Sequence, residues 1–493
     1  MRKIFIVLGA MLVLGLALSA CTTATPTEAP TTAGVPATAV PATAVAATEV
    51  PTAAPTPCSG SPVTLRWFVG LGTGTDPIQL LPQASVVSDF NNSQCDAVVK
   101  LEIINYDAAK DILATEIAAG SAPDVIGPVG WAGSNAFYGQ YLDFSSELKS
   151  SGFDTSVFNP ALLKMYETSQ GTVGLPFAVY PSAMFYNTAL FDAAGLAYPP
   201  AKYGDQYKMP DGSMVDWSWD TVTKVSQLLT LDSAGKNATE AGFDKTKITQ
   251  YGFTWGFENQ PSYWGTFWGN GQYVAADGKT AQPPDVWVAA WKWTYNSIWG
   301  DQPFQPNAAV GGSADFGSGN HFNSGKVAMV DNPVWYTCCM GNVKTWDAGI
   351  MPSYNGVVGG RIDADTFRIW KGTKNPKQAF EFLAYLATTG TQKLIIGSKD
   401  MPAAYGALPA RTADLQTWVD AKKVQFPWVK NWQTILDGLN YPDTPSAEAF
   451  MPNFSEAWAR GTTFANLVNS QGGLDIDKEI ATFTSDLTAI FAK

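Results

Sequence analysis

Between Val63 and Ile126 the apolar residues change period twice. Val63, Leu65, Trp67 and Val69 alternate, as a half-buried strand requires, and Val99, Leu101 and Ile103 repeat the pattern. From Ala108 to Ala119 the spacing is helical, with Ile112, Leu113 and Ile117 on one face. Gly120 stops that helix, and Pro123-Asp124-Val125-Ile126 opens a third strand. The β-α-β order implies a parallel sheet covered by helices. Later helices are equally marked. Ser218 caps one with Val222, Val225 and Leu229 inward, and Asn375-Pro376 supplies an N-cap and N1 proline before Phe380, Leu383 and Ala387. Ile476, Ile480, Phe483, Leu487 and Ile490 predict an amphipathic C-terminal helix. Trp287 and Trp291 share helical spacing and read as core.

The first 57 residues do not belong to this pattern. Arg2 and Lys3 precede an uncharged apolar run, Ile4 to Leu18, which is short for a membrane span. Leu18-Ser19-Ala20-Cys21 follows and resembles a bacterial lipobox, so residues 1–21 read as a lipoprotein signal with Cys21 lipidated. In residues 22–57, 29 of 36 are Pro, Thr or Ala, with no aromatic and no cation. Such a segment buries too little apolar area to offset its ordering entropy. It reads as a disordered tether that reaches roughly 110 Å when extended as polyproline II. The expected location is the outer face of the cytoplasmic membrane, held by lipid alone.

Charge and residue counts exclude several functions. The net charge is −12, which argues against nucleic acid, since phosphate binding needs clustered Lys and Arg. The one histidine, His321, excludes a His-rich metal site, and beside Phe322 it reads as a structural hydrogen bonder. Asp232, Asn237 and Asp244 fit a calcium loop only at the first position. No cofactor and no metal is expected. Cys58 and Cys95 each precede a predicted strand, and if those strands are parallel neighbours their starts come close enough for a disulfide. Cys338 and Cys339 are adjacent; they read either as a strained bridge or as two buried thiols.

Five segments, in order, resemble the extracellular solute-binding proteins of ABC importers, in the maltose-binding-like carbohydrate class. They are LATEIAAGSAPDVI (113–126), GLPFAVYPSAMFYNTALFDAAGL (174–196), the helix from Asp216 to Leu229, FNSGKVAMVDNPVW (322–335) and KNPKQAFEFLAYL (374–386). The resemblance implies an α/β fold of two lobes, each a mainly parallel sheet flanked by helices, joined by three hinge crossings near 178–182, 358–363 and 403–407. The N-terminal lobe would hold 58–179 plus 362–403, and the C-terminal lobe 182–358 plus 407–493. It further implies a monomer that captures a sugar or oligosaccharide in the cleft and docks on ABC permease transmembrane subunits driven by a cytoplasmic ATPase, with no chemistry of its own. The alternatives are a binding protein for a peptide, polyamine or phosphodiester, and a surface glycoside hydrolase, for which no motif nominates a carboxylate pair.

A pyranose offers apolar C–H faces to aromatic rings and hydroxyls to amides, carboxylates and Arg. Candidates are therefore aromatics on loops and strand ends with polar neighbours. Trp131 follows a strand through Gly-Pro-Val-Gly, and Tyr180 stands at the first crossing, where relatives place a carboxylate. Tyr263 and Trp264 follow Pro261. Trp335 lies one position beyond the family's stacking tryptophan, which is Val334 here, and Trp458 matches a third stacking position. Asp363, beside Arg361 and Asp365 at the second crossing, reads as a hydroxyl ligand or as a hinge salt bridge. Asp76, in the glycine-rich GLGTGTD loop, is a further polar candidate; the loop lacks the G-K-[ST] of a phosphate loop.

Overall fold

The computed structural model describes residues 60–493 apart from Glu258 and Pro402. The signal segment, the tether, Cys21 and Cys58 lie outside the described residues, and with them the Cys58–Cys95 pairing. Strand β1 (Val63–Val69) runs parallel to β2 (Ala97–Ile103), with Val63 opposite Ala97 and Val69 opposite Ile103. It also pairs in parallel with β3 (Val125–Val129). Helix α1 (Pro77–Ser93) connects β1 to β2, and α2 (Tyr106–Ala118) connects β2 to β3. The period of α1 was not legible, because polar residues and Pro82 interrupt it. Asn105 caps α2 by accepting from Asp107 N–H, and Gly120 ends it at φ +70°.

Two strands tie the halves of the sheet together. Strand β4 (Ala178–Asn187) is buried along all ten residues. Its first part, Ala178–Pro181, lies antiparallel to Ile362–Asp365. From Ser182 onward it pairs with β7 (Val327–Pro333) and β8 (Trp346–Gly349). Strand β9 (Ile362–Ile369) makes the reverse exchange, with β4 at its start and β3 at its end. Leu408–Pro409, strand β10, brings a third segment against Val179 and Ala178. The far half holds β6 (Ile248–Thr254), parallel to β7, with β5 (Leu231–Asp232) antiparallel on the edge. The order is β2-β1-β3-β9-β4-β7-β6-β5, with parallel pairs in each half and antiparallel strands between.

The aromatic excess is largely core. Trp67, Trp219, Trp264, Trp287, Trp291, Trp346, Trp418 and Trp432 are all fully buried. In the far half, helix α4 (Trp219–Leu229) packs its Val222, Val225 and Leu229 on β6, and its cap Ser218 accepts from Thr221 N–H as expected. Trp219 stacks on Trp268 at 5.7 Å and meets Trp255 and Trp293. Helix α6 (Asp285–Trp299) buries Trp287 and Trp291, whose indole N–H groups donate to Gly269 and Pro261 carbonyls. Pairing these two buried indole N–H groups avoids unmet donors, and rings in edge-to-face contact fill the volume.

Candidate ligand-binding site

Trp131 opens a short helix, α3 (Trp131–Asn135), directly after β3 and Gly130. A Cβ on Gly130 would lie 3.1 Å from Asp365 Oδ1 and 3.8 Å from Glu448 Oε2, so the turn brings backbone against carboxylates from both β9 and the 443–450 loop. That loop, between Tyr441 and helix α7 (Phe454–Ser470), faces α3. Glu448 Oε2 accepts from Ala132 N–H at 3.0 Å, its backbone carbonyl accepts from Asn135 Nδ2 at 2.7 Å, and Phe450 stacks on Tyr138 with ring centres 3.7 Å apart. Asp443 anchors the loop base by accepting from the N–H groups of Ile362 (2.9 Å) and Ala447 (2.7 Å).

Between these segments lies a cavity of about 410 Å³. Trp131, Tyr138 and Phe450 give it aromatic walls, and Asn135, Gln272 and Asp443 give it polar ones. The volume suits a small ligand held between rings and a few oriented polar groups.

A charge cluster lies beside it. Arg361, 3% exposed, sits with an Nη 2.6 Å from Asp363 Oδ1 and 3.7 Å from Glu448 Oε1. Its guanidinium lies over the Tyr263 ring, whose hydroxyl donates to Glu448 Oε1 at 2.6 Å. The other oxygen of Asp363 accepts from Trp335 Nε1 at 2.9 Å. Tyr180 OH is 3.5 Å from Asp365 Oδ2. Burial pushes the carboxyls of Asp365 and Asp443 up to about 7 and raises that of Glu448. Near neutral pH such a carboxyl can donate or accept, which suits a hydroxyl-bearing ligand.

Of the eight sequence candidates, Trp131 lines the cavity. Tyr180, Tyr263 and Asp363 belong to the adjoining cluster. Trp335 is tied to that cluster through Asp363, and Trp458 meets Tyr263 edge to face at 5.8 Å. Two candidates are placed elsewhere. Trp264 is 0% exposed within the far core, because α5 (Pro261–Thr266) turns it inward while Tyr263 faces Glu448. Asp76 is the exposed N-cap of α1, and Gln79 organises its loop by accepting from Gly74 and Asp76 N–H. Between the two readings of Asp363, the salt bridge to Arg361 is present. His321 lies 2.9 Å from Thr254 Oγ1 through Nδ1, and burial drives its pKa down to about 4. Asp232 spends its oxygens on the N–H groups of Ala234, Lys236 and Asp244. Cys338 and Cys339 are bonded to each other, on the segment after β7.

Sequence reasoning missed Asn135, Tyr138, Asp443, Glu448 and Phe450. The first two lie within seven residues of Trp131, so a helix start after a strand end was the available signal. Nothing in the sequence links the other three to residues more than three hundred positions away.

The sequence profile of the bacterial extracellular solute-binding proteins matches residues 80–393. The chain belongs to this family. Solved structures similar to this binding protein include UspC from M. tuberculosis, with TM-score 0.65 and 18% identity over 87% of this chain and 100% of that one. The ABC substrate-binding protein Lmo0181 from Listeria monocytogenes, solved in complex with cycloalternan, has TM-score 0.62 and 18% identity over 87% and 99%. The cyclic alpha-maltosyl-1,6-maltose binding protein from Arthrobacter globiformis has TM-score 0.62 and 14% identity over 88% and 100%. At these identities the likeness is one of fold: two α/β lobes joined by crossing strands. No curated protein matches the chain significantly.

Proposed function

We propose that this solute-binding protein captures a sugar or oligosaccharide in the cavity at Trp131 and delivers it to an ABC permease. The observation that carries the reading is the pairing of aromatic walls with oriented polar groups in a cavity of about 410 Å³. Trp131 and Tyr138 rings suit pyranose faces, while Asn135, Gln272 and Asp443 suit hydroxyls. Similar folds solved with cycloalternan, or named for a maltosyl-maltose, support the substrate class. The lobes are 58–179 plus 362–403 and 182–358 plus 407–493; the exchange of partners along β4 and β9 supports the first two crossings. Ligand bridging α3 and the 443–450 loop favours the closed arrangement, which the permease reads. Cys21 carries lipid, residues 22–57 form the tether, and Cys58 pairs with Cys95. The protein acts as a monomer and performs no reaction.

The test is calorimetric titration of the full chain with mono- and oligosaccharides. The expected result is one-to-one binding of one sugar class, with the sugar recovered unchanged and Trp131→Ala weakening affinity at least about tenfold. Silence across the panel from folded protein sinks the sugar assignment and moves the search to peptides and amines.

A further inference from the structure

Arg368, near the end of β9, is 1% exposed and, among the described residues, meets no carboxylate within ion-pair distance. Its Nε donates to Ser134 Oγ at 3.2 Å and one Nη to the Val173 carbonyl at 2.8 Å, both neutral acceptors. Three rings surround the guanidinium, with centres 4.7 Å (Trp131), 5.6 Å (Tyr141) and 5.6 Å (Tyr166) from its carbon. A guanidinium keeps its charge in a protein, and burying it unpaired costs several kcal/mol, of which ring contacts offset only part.

The surroundings are rich in donors. Trp131 Nε1 and the hydroxyls of Tyr141 and Tyr166 are buried without a hydrogen-bond partner among the described residues. Burial holds both phenols far above their usual pKa, so each keeps its proton to donate. Beside them is a second cavity of about 20 Å³, lined by Trp131, Ser134, Tyr141, Gln170 and Arg368. It shares Trp131, Asn135, Tyr138 and Thr168 with the larger cavity. A water needs about 10–15 Å³ of such space, so this one takes one or two oxygen-sized atoms. A sugar ring and a tetrahedral phosphate are too large; the two oxygens of a carboxylate fit.

We infer that the Arg368 pocket is an anionic subsite of the ligand cleft, taking the carboxylate of a uronic acid whose ring lies in the larger cavity against Trp131. The inference rests on the sugar-binding reading and narrows it to acidic saccharides. A uronate carries its carboxylate outside the ring, so the group can enter a small side pocket while the ring stays with the aromatic walls.

Two measurements on the full chain test it. First, the melting temperature is followed against sodium formate at fixed ionic strength in sodium chloride. A saturable rise that Tyr141→Phe and Arg368→Met each diminish is expected. No response, or an equal response in folded Tyr141→Phe protein, overturns the subsite whatever the sugar result. Second, calorimetry compares a galacturonate disaccharide with its neutral galactose counterpart. The acid should bind at least about tenfold more tightly, formate should compete, and Tyr141→Phe should bring the ratio towards one. Equal affinities for the two sugars overturn the uronate assignment and leave the pocket to a free small anion. A formate response with neither sugar bound overturns the sugar-binding reading itself, not the anion site.

Discussion

The Arg361 guanidinium lies 3.5 Å above the centre of the Tyr263 ring, and that ring's hydroxyl donates to Glu448, which Arg361 also approaches at 3.7 Å. Ring, cation and carboxylate thus close a triangle at the edge of the cleft. Tyr263→Phe keeps the ring under the cation and removes the donor to a buried carboxylate. The expected loss is about 1.5–3 kcal/mol of unfolding free energy, measured by urea titration. An unchanged midpoint would show that the hydroxyl contributes nothing there.

Trp131 and Trp264 separate two kinds of tryptophan. Trp264→Ala empties a fully buried site and should cost about 3–5 kcal/mol of stability. Ligand affinity of the folded fraction should hold. Trp131→Ala should show a smaller loss of stability and a large loss of affinity. Denaturation and calorimetry on both variants decide it, and reversed phenotypes would contradict the assignment of the cavity.

Asp443 holds the base of the 443–450 loop with both carboxylate oxygens, one on Ile362 N–H and one on Ala447 N–H. In Asp443→Asn the amide NH₂ must face one of those N–H groups. A cost of about 1–3 kcal/mol is expected, together with faster hydrogen exchange across residues 443–450. Exchange rates unchanged in that segment would remove the anchoring role.

The buried carboxyls also set a pH dependence. Asp365 and Asp443 titrate near 7 in the folded protein, against 3.8 when exposed. Between those values the folded state binds more protons than the unfolded chain, so stability falls as pH rises. His321 opposes this below 6.5, because the unfolded chain takes a proton that the buried ring, at about 4, refuses. Two carboxyls outweigh one imidazole, and above 6.5 they act without it. The melting temperature should therefore be lower at pH 7.5 than at pH 5, and Asp365→Asn should flatten the slope. A rise across this window would contradict the protonation assigned to the cluster.

The fold was legible where local physics suffices. Alternation from Val63 to Val69, the helical spacing from Ala108 to Ala119 and the Ser218 cap each depend on neighbours within a few residues. So does Trp131, whose place after a glycine-bearing strand end marks it as a loop aromatic. The site as a whole was not legible in this way. Glu448 meets Ala132 across 316 positions and Tyr263 across 185, and no periodicity encodes either meeting. Trp264 lies in the far core for the converse reason. It shares the local signal of Tyr263, and only packing against the far core decides which ring of the pair faces the cleft. Arg368 lies on the strand that Arg361 immediately precedes, yet its aromatic cage is assembled from Trp131, Tyr141 and Tyr166 by tertiary contact alone.

The strand exchange along β4 and β9 has a mechanical consequence. Arg361, Asp363 and Asp365 lie at or beside the part of β9 that pairs with β4, which would be the fulcrum of a hinge there, whereas Tyr138 and Phe450 stack on each other from two other segments. For any rotation of one lobe against the other, displacement grows with distance from the fulcrum. The charged groups would therefore keep nearly the same spacing through such a rotation. The Tyr138–Phe450 stack joins the segment after α3 to the 443–450 loop, so it is the contact that such a rotation would open or close.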